Sequence, residues 1–225
     1  MNKQLIGNTF KKALFWLLLP VVWIYANFVL GWRVTWNGKL PKGPKILVAN
    51  HPSTFDPFVV ALLARRPSRI LIKGHIFKTP LFGFYLRQAG HIPVIPGQGS
   101  EAFETAKQLL EDGHTIMLFP EGRLSPQEGG FQKTRTGAAR LALISGAPVI
   151  PIGIHLNRSR VKAISSNIDD YESTVLFAHG GPYRLTVGQP MQFSGSLEDR
   201  EHVVSVAETI MQRIILLSQQ SAAQS

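Results

Sequence analysis

The sequence predicts a single α/β domain, and three observations carry that prediction. Short apolar runs recur from residue 45 to residue 187, and stretches of helical character separate them. About 190 residues follow an apolar amino-terminal segment, enough to bury one substantial core. The first run, Lys45-Ile46-Leu47-Val48-Ala49, reads as a buried strand that delivers Asn50 and His51 at its end. A helix over 58–64 follows, then a strand over 69–73. Residues 81–89 read as a helix leading into Gly90 and a strand over 91–95. Ser100 is the expected N-cap of a helix running through Leu110, with Gly113 placed to stop it. Thr115 to Phe119 is the next strand, 136–145 the next helix with Gly146 as its terminator, and 149–155 another strand.

From Asn157 the pattern becomes polar and basic, Asn157-Arg158-Ser159-Arg160-Val161-Lys162, and reads as an excursion loop reaching Tyr171. That loop is either solvated or an anionic contact for lipid headgroups or acyl-donor phosphates. Strands are expected over 175–177 and 183–187 around the turn His179-Gly180-Gly181-Pro182. The last helix opens at Ser196-Leu197-Glu198-Asp199 and carries an apolar stripe of Val203, Val206, Ile210, Ile214 and Leu217, suited to packing on the core. The tail from Gln219 is small and polar and is expected to fray. The division that results is an amino-terminal membrane-associated segment over 1–33, a domain over 34–218 and a flexible tail over 219–225.

Ala13 to Trp32 contains no charged residue. As a helix its 20 residues extend about 30 Å, the thickness of a hydrocarbon core. All four tryptophans, Trp16, Trp23, Trp32 and Trp36, lie in or just after this run, as suits an interfacial side chain. Lysines and arginines flank it on both sides, so positive charge selects no orientation. A single span and two short helices in one leaflet both fit. No small-x-small cleavage site follows, which argues against a signal peptide. The net charge of +10, with a pI near 10.2, matches an anionic lipid surface. Nucleic acid is excluded as the partner, since no basic helix, zinc-ligand cluster or RNA-binding aromatic signature accompanies the charge. The remaining histidines lack metal-ligand spacing, so no metal and no bound cofactor is expected. The chain has no cysteine, which excludes a thiolate nucleophile and agrees with a cytoplasmic domain.

Asn50-His51-Pro52-Ser53-Thr54-Phe55-Asp56-Pro57 holds a histidine and an aspartate five positions apart. In a continuous helix that offset turns one side chain about 140° from the other. Pro52 and Pro57 favour extended backbone at the residues before them, so a loop entering a helix is the predicted setting. There Asp56 can accept from one ring nitrogen of His51 and leave the other free to take a proton from a hydroxyl. The second group, Glu121-Gly122-Arg123, follows the strand at 115–119. Glycine at that point lets backbone approach a ligand, and arginine offers a planar fork suited to phosphate. An ordinary helix cap for the first group and a charged turn for the second are the plainer alternatives.

These two blocks resemble the glycerolipid acyltransferase family that includes 1-acyl-glycerol-3-phosphate acyltransferases. The resemblance runs from about Val34 to Met191. Asn50-His51 through Asp56 is similar to the family's first block, Phe119-Pro120-Glu121-Gly122-Arg123-Leu124-Ser125 to its third and Val149-Ile150-Pro151-Ile152 to its fourth. It implies a mixed sheet flanked by helices. The implied activity is transfer of a fatty acyl group from acyl-CoA or acyl-carrier protein to a lysophospholipid hydroxyl, on the inner face of the cytoplasmic membrane. His51 would be the general base and Asp56 its partner, and Glu121, Gly122, Arg123, Ser125 and Pro151 would bind substrate. Backbone amides at the start of the helix after Asp56, or near Gly122, are the candidates to stabilise the oxyanion. The chain departs from the pattern at Pro96, where the family's second block usually ends in arginine, and Lys73 and Arg87 are the cations available to replace it. The missing arginine leaves room for another lysolipid or an aminolipid as acceptor. The alternative from another class is a non-catalytic membrane module that binds lipid headgroups.

Overall fold

The computed structural model describes residues 19–64, 67–168 and 171–225. Residues 19–24 are helical and pass into a π-helical turn at Tyr25–Val29. The elements that follow are β1 (Arg33–Trp36), β2 (Lys45–Ala49), α1 (Asp56–Ala64), β3 (Ser68–Lys73), a 3-10 turn (Gly74–Lys78), α2 (Phe82–Gln88), β4 (Ile92–Val94), α3 (Gly99–Glu111), β5 (Thr115–Leu118) and α4 (Gly137–Ser145). The chain continues through β6 (Val149–Leu156), β7 (Val161–Ile168), β8 (Tyr171–Ala178), β9 (Tyr183–Val187) and α5 (Arg200–Ala222).

Seven strands form one sheet in the order β1-β9-β6-β2-β5-β3-β4. The strands β6, β2, β5, β3 and β4 run parallel, whereas β9 is antiparallel to β6 and parallel to β1. Every residue of β2 is buried, as a central parallel strand covered on both faces requires. Alternation then divides its side chains. Ile46 and Val48 join Ile116 and the apolar faces of α3, α4 and α5, while Leu47 and Ala49 join Met117, α1 and Tyr183 on the other side. The carboxyl ends of the parallel strands share one edge, which is where a ligand site is expected in such a sheet.

Long α5 lies along β6 because its stripe of Val203, Val206, Ile210, Ile214 and Leu217 is buried as predicted. Gly153 permits this approach, since a Cβ there would stand 2.0 Å from the Ser218 nitrogen. Gly146 ends α4 at φ 61°, in the role expected of it.

The structure corrects several expectations. The excursion loop is a β-ribbon, with β7 and β8 paired antiparallel and Val161 opposite Ala178. Lys162, Ala163, Ile164 and Ser165 are all exposed, so no inward-facing alternation marked β7 as a strand. β1, which has only four residues, was not expected at all. Helix α3 starts at Gly99 after Gln98 and has no side-chain cap, so Ser100 lies inside it. The last helix starts at Arg200, where Asp199 accepts from the His202 amide at 2.9 Å. The end of the chain does not fray at Gln219. Helix α5 continues to Ala222 because Ser221 is fully buried against Thr186 and Gln220 bonds Asn37. Among the described residues no helix is long and apolar enough to cross a membrane. Residues 13–18 of the apolar amino-terminal run lie outside the described residues.

Candidate functional site

Strand β2 delivers Asn50 and His51 to the carboxyl edge of the sheet. The Asn50 amide, 2% exposed, locks that exit onto the neighbouring strand by donating to the Ile154 carbonyl at 2.8 Å and accepting from the Ile154 amide at 2.7 Å. The chain then turns through 52–55 into α1, which brings His51 and Asp56 together as predicted. His51 Nδ1 lies 2.9 Å from Asp56 Oδ2. Asp56 is fully buried and accepts twice more, from the Ser53 amide at 2.8 Å on Oδ2 and from the Tyr183 hydroxyl at 2.6 Å on Oδ1. Burial and the adjacent Asp56 carboxylate push the Tyr183 hydroxyl well above its usual pKa, so it remains a donor. The Phe119 ring stacks on the imidazole with centroids 4.1 Å apart. With Nδ1–H given to Asp56, His51 presents Nε2 as an acceptor, the arrangement of a general base.

Glu121 and Ser125 come to this loop from below. Glu121 is 1% exposed, and its Oε1 accepts from the His51 amide at 3.0 Å and from the Ser125 hydroxyl at 2.7 Å. Its Oε2 accepts from the Gln132 amide at 2.7 Å. The Ser125 amide donates to the His51 carbonyl at 2.8 Å. Both side chains thus hold the His51 backbone between the two motif blocks. Gly122 stands at φ 65°, and a Cβ there would lie 2.5 Å from Arg135 Nε. The space that glycine leaves is therefore filled by Arg135, and Arg123 extends exposed from the rim.

The other expected residues lie farther out. Lys73 is exposed at the end of β3. Ser68 and Lys45 both pair with Thr115, so Lys73 is level with Asn50, two strands or about 10 Å away. Pro151 is buried in mid-strand opposite Val48, and its carbonyl accepts from the Gly188 amide, so the structure does not bring it to His51. Arg87 donates to the Phe77 carbonyl within the α2 region and is committed there. His91 is structural: its Nδ1 accepts from the Ile70 amide at 3.3 Å, and burial, with Arg69 nearby, lowers its pKa to about 4.

The amides expected to stabilise an oxyanion at the start of α1 are all engaged. Ser53 donates to Asp56, Thr54 to the Leu176 carbonyl, Phe55 to the Ser53 hydroxyl and Asp56 to the Ser53 carbonyl. Gly122 N–H is likewise spent on the Phe119 carbonyl. The amides of Arg123 and Leu124 form no internal hydrogen bond among the described residues. Arg158 lies in the basic stretch expected to meet either solvent or an anion, whereas Tyr183, Gln132 and Arg135 are contributors that motif reasoning did not assign to the site. Of these, only Tyr183 carried a signal, as the first inward position of a predicted strand. No group of three or more metal-ligating side chains occurs among the described residues.

A sequence profile of the Acyltransferase family matches residues 32–155, more than half of the chain. The chain is 27% identical over 165 residues to the N-acylphosphatidylethanolamine synthase of Arabidopsis thaliana, covering 68% of this chain and 57% of that protein. It is 31% identical over 148 residues to a probable 1-acyl-sn-glycerol-3-phosphate acyltransferase of Mycoplasma genitalium, covering 60% of this chain and 53% of that protein. The match thus spans little more than half the length of these relatives. The crystal structure of a 1-acyl-sn-glycerophosphate acyltransferase from Thermotoga maritima shares the fold, with a TM-score of 0.63 and 22% identity over 90% of this chain and 80% of that one.

Proposed function

The chain belongs to the acyltransferase family, and on that premise we propose that it moves a fatty acyl group from acyl-CoA or acyl-carrier protein to the free hydroxyl of a lysophospholipid, first 1-acyl-sn-glycerol-3-phosphate. The observation that carries this reading is the 2.9 Å His51–Asp56 pair at the carboxyl end of β2, with the other ring nitrogen of His51 unspent among the described residues. His51 Nε2 takes the hydroxyl proton as the oxygen attacks the thioester carbonyl. Asp56, held by Ser53 and Tyr183, stabilises the imidazolium. The oxyanion is received by the amides of Arg123 and Leu124. As the intermediate collapses, the C–S bond breaks and the thiolate leaves with the proton from His51. Acyl-CoA or acyl-carrier protein is a substrate here, and no bound cofactor takes part.

Membrane association belongs to the same reading, at the inner face of the cytoplasmic membrane. Exposed apolar side chains support it: Phe28 of the amino-terminal segment is 78% exposed and Leu81 before α2 is 87% exposed. A line of ring contacts, Tyr25 to Phe55 to Phe58 to Phe82, joins these two regions past the loop that carries Asp56.

Pro96, at the position where an arginine is usual, favours a second reading in which the acceptor is another lysolipid or an aminolipid. The named activity of the Arabidopsis relative is in keeping with it. Transfer of labelled acyl groups from each donor to 1-acyl-sn-glycerol-3-phosphate, other lysolipids and aminolipids tests both. Product from the phosphate-bearing acceptor upholds the first reading and product only from the others upholds the second. No transfer to any acceptor leaves a lipid-binding module.

A further inference from the structure

The β-ribbon that replaces the expected loop has a consequence at its root. Strand β6 runs beside β2, and the chain leaves it at Asn157 through the 3-10 turn Arg158–Arg160, on the same sheet edge as His51. Asn157 holds that turn rigidly, its Oδ1 accepting from the Ser159 amide at 3.0 Å and hydroxyl at 2.8 Å. Arg158 is half-buried there, and its Nη1 donates to the Pro52 carbonyl, next to His51, at 3.4 Å. The carboxylates of Asp56, Glu121 and Glu128 are near enough to favour its charge. Arg158 makes no ion pair and no other hydrogen bond among the described residues, so four of its five N–H donors are unspent.

A dianionic phosphate brought to His51 comes close to two buried carboxylates, Asp56 on the imidazole and Glu121 on the His51 amide. A cation at the same place offsets that repulsion; burial lowers the pKa of Arg158 from its usual value, and the nearby carboxylates counter that in part. We propose that Arg158 is the residue that grips the phosphate of the acceptor lipid, using the open side of its fork while Nη1 anchors it to the histidine loop. This rests on acyl transfer to a phosphate-bearing lysolipid. Arg160, two residues on, packs its stem on Gly180 and serves as a charge-matched control.

Two measurements on the full-length protein in phospholipid vesicles test the assignment. Binding of glycerol 3-phosphate, read from 31P line broadening, is expected in the wild type and in Arg160→Gln and lost in Arg158→Gln; equal broadening in all three overturns it. In the transfer assay Arg158→Gln raises KM for 1-acyl-sn-glycerol-3-phosphate about tenfold or more with KM for acyl-CoA unchanged, and Arg158→Lys recovers part of the loss. A raised KM for the acyl donor instead, or an equal fall in kcat for phosphate-bearing and phosphate-free acceptors, refutes an acceptor-phosphate role. Wild-type protein that binds glycerol 3-phosphate through Arg158 but transfers no acyl group refutes the proposed activity and leaves the anion site standing.

Discussion

Glu121→Gln separates a residue that holds substrate from one that holds His51. The carboxylate accepts three hydrogen bonds within the protein, from His51 N, the Ser125 hydroxyl and Gln132 N. An amide can turn its oxygen towards the first two, and each of those bonds then loses about 1 kcal/mol as a charged acceptor becomes neutral. Its NH2 would face the Gln132 N–H, opposing donor to donor in a site 1% exposed, at about 1–3 kcal/mol. The expected loss is about 3–5 kcal/mol of folding stability, together with a fall in kcat as the His51 backbone is released. Equilibrium urea unfolding followed by circular dichroism, beside steady-state kinetics, measures both. Stability within about 0.5 kcal/mol of wild type, with only the acceptor KM raised, would refute this reasoning and make Glu121 a direct substrate contact.

Tyr183→Phe deletes the 2.6 Å hydrogen bond to Asp56 Oδ1 and leaves a buried carboxylate oxygen unpaired; a destabilisation of about 1.5–3 kcal/mol is expected in urea titration. Gly153→Ala drives a methyl group to 2.0 Å from the Ser218 nitrogen, so α5 must move off β6, lowering the melting temperature by more than a surface Gly→Ala change does. His91 is neutral in the fold because burial lowers its pKa from 6.5 to about 4. The unfolded chain therefore binds the extra proton first: stability is complete above pH 6.5 and declines as pH falls towards 4, by about 3 kcal/mol at most. His91→Asn, which keeps an acceptor for the Ile70 amide, should show a shallower decline over that window than wild type.

Where local pattern and burial coincide, the elements were legible. The apolar run at 45–49 became β2 with those bounds, the run at 183–187 became β9, and the turn between Pro52 and Pro57 joined His51 to Asp56. Contacts across long separations were not legible. Nothing local links Tyr183 to Asp56, which lies 127 positions away, or places Arg135 over Gly122. The β7–β8 ribbon escaped notice because its exposed residues need no apolar alternation, and β1 because a four-residue edge strand gains its order from β9. The third block meets the His51 loop, but its text does not tell which of its polar residues turn inward. Glu121 and Ser125 do, and Arg123 does not.

The central claim is that His51 is the base for acyl transfer, and the rate of labelled acyl transfer to the preferred acceptor by His51→Ala tests it most directly. The imidazole is only partly buried and, among the described residues, its ring nitrogens hydrogen-bond only Asp56, so the variant is expected to fold and to bind vesicles as wild type does. Its kcat should fall by about 10²–10⁴, the contribution of a positioned general base. A folded, vesicle-bound His51→Ala protein whose kcat stays within about tenfold of wild type would contradict the account.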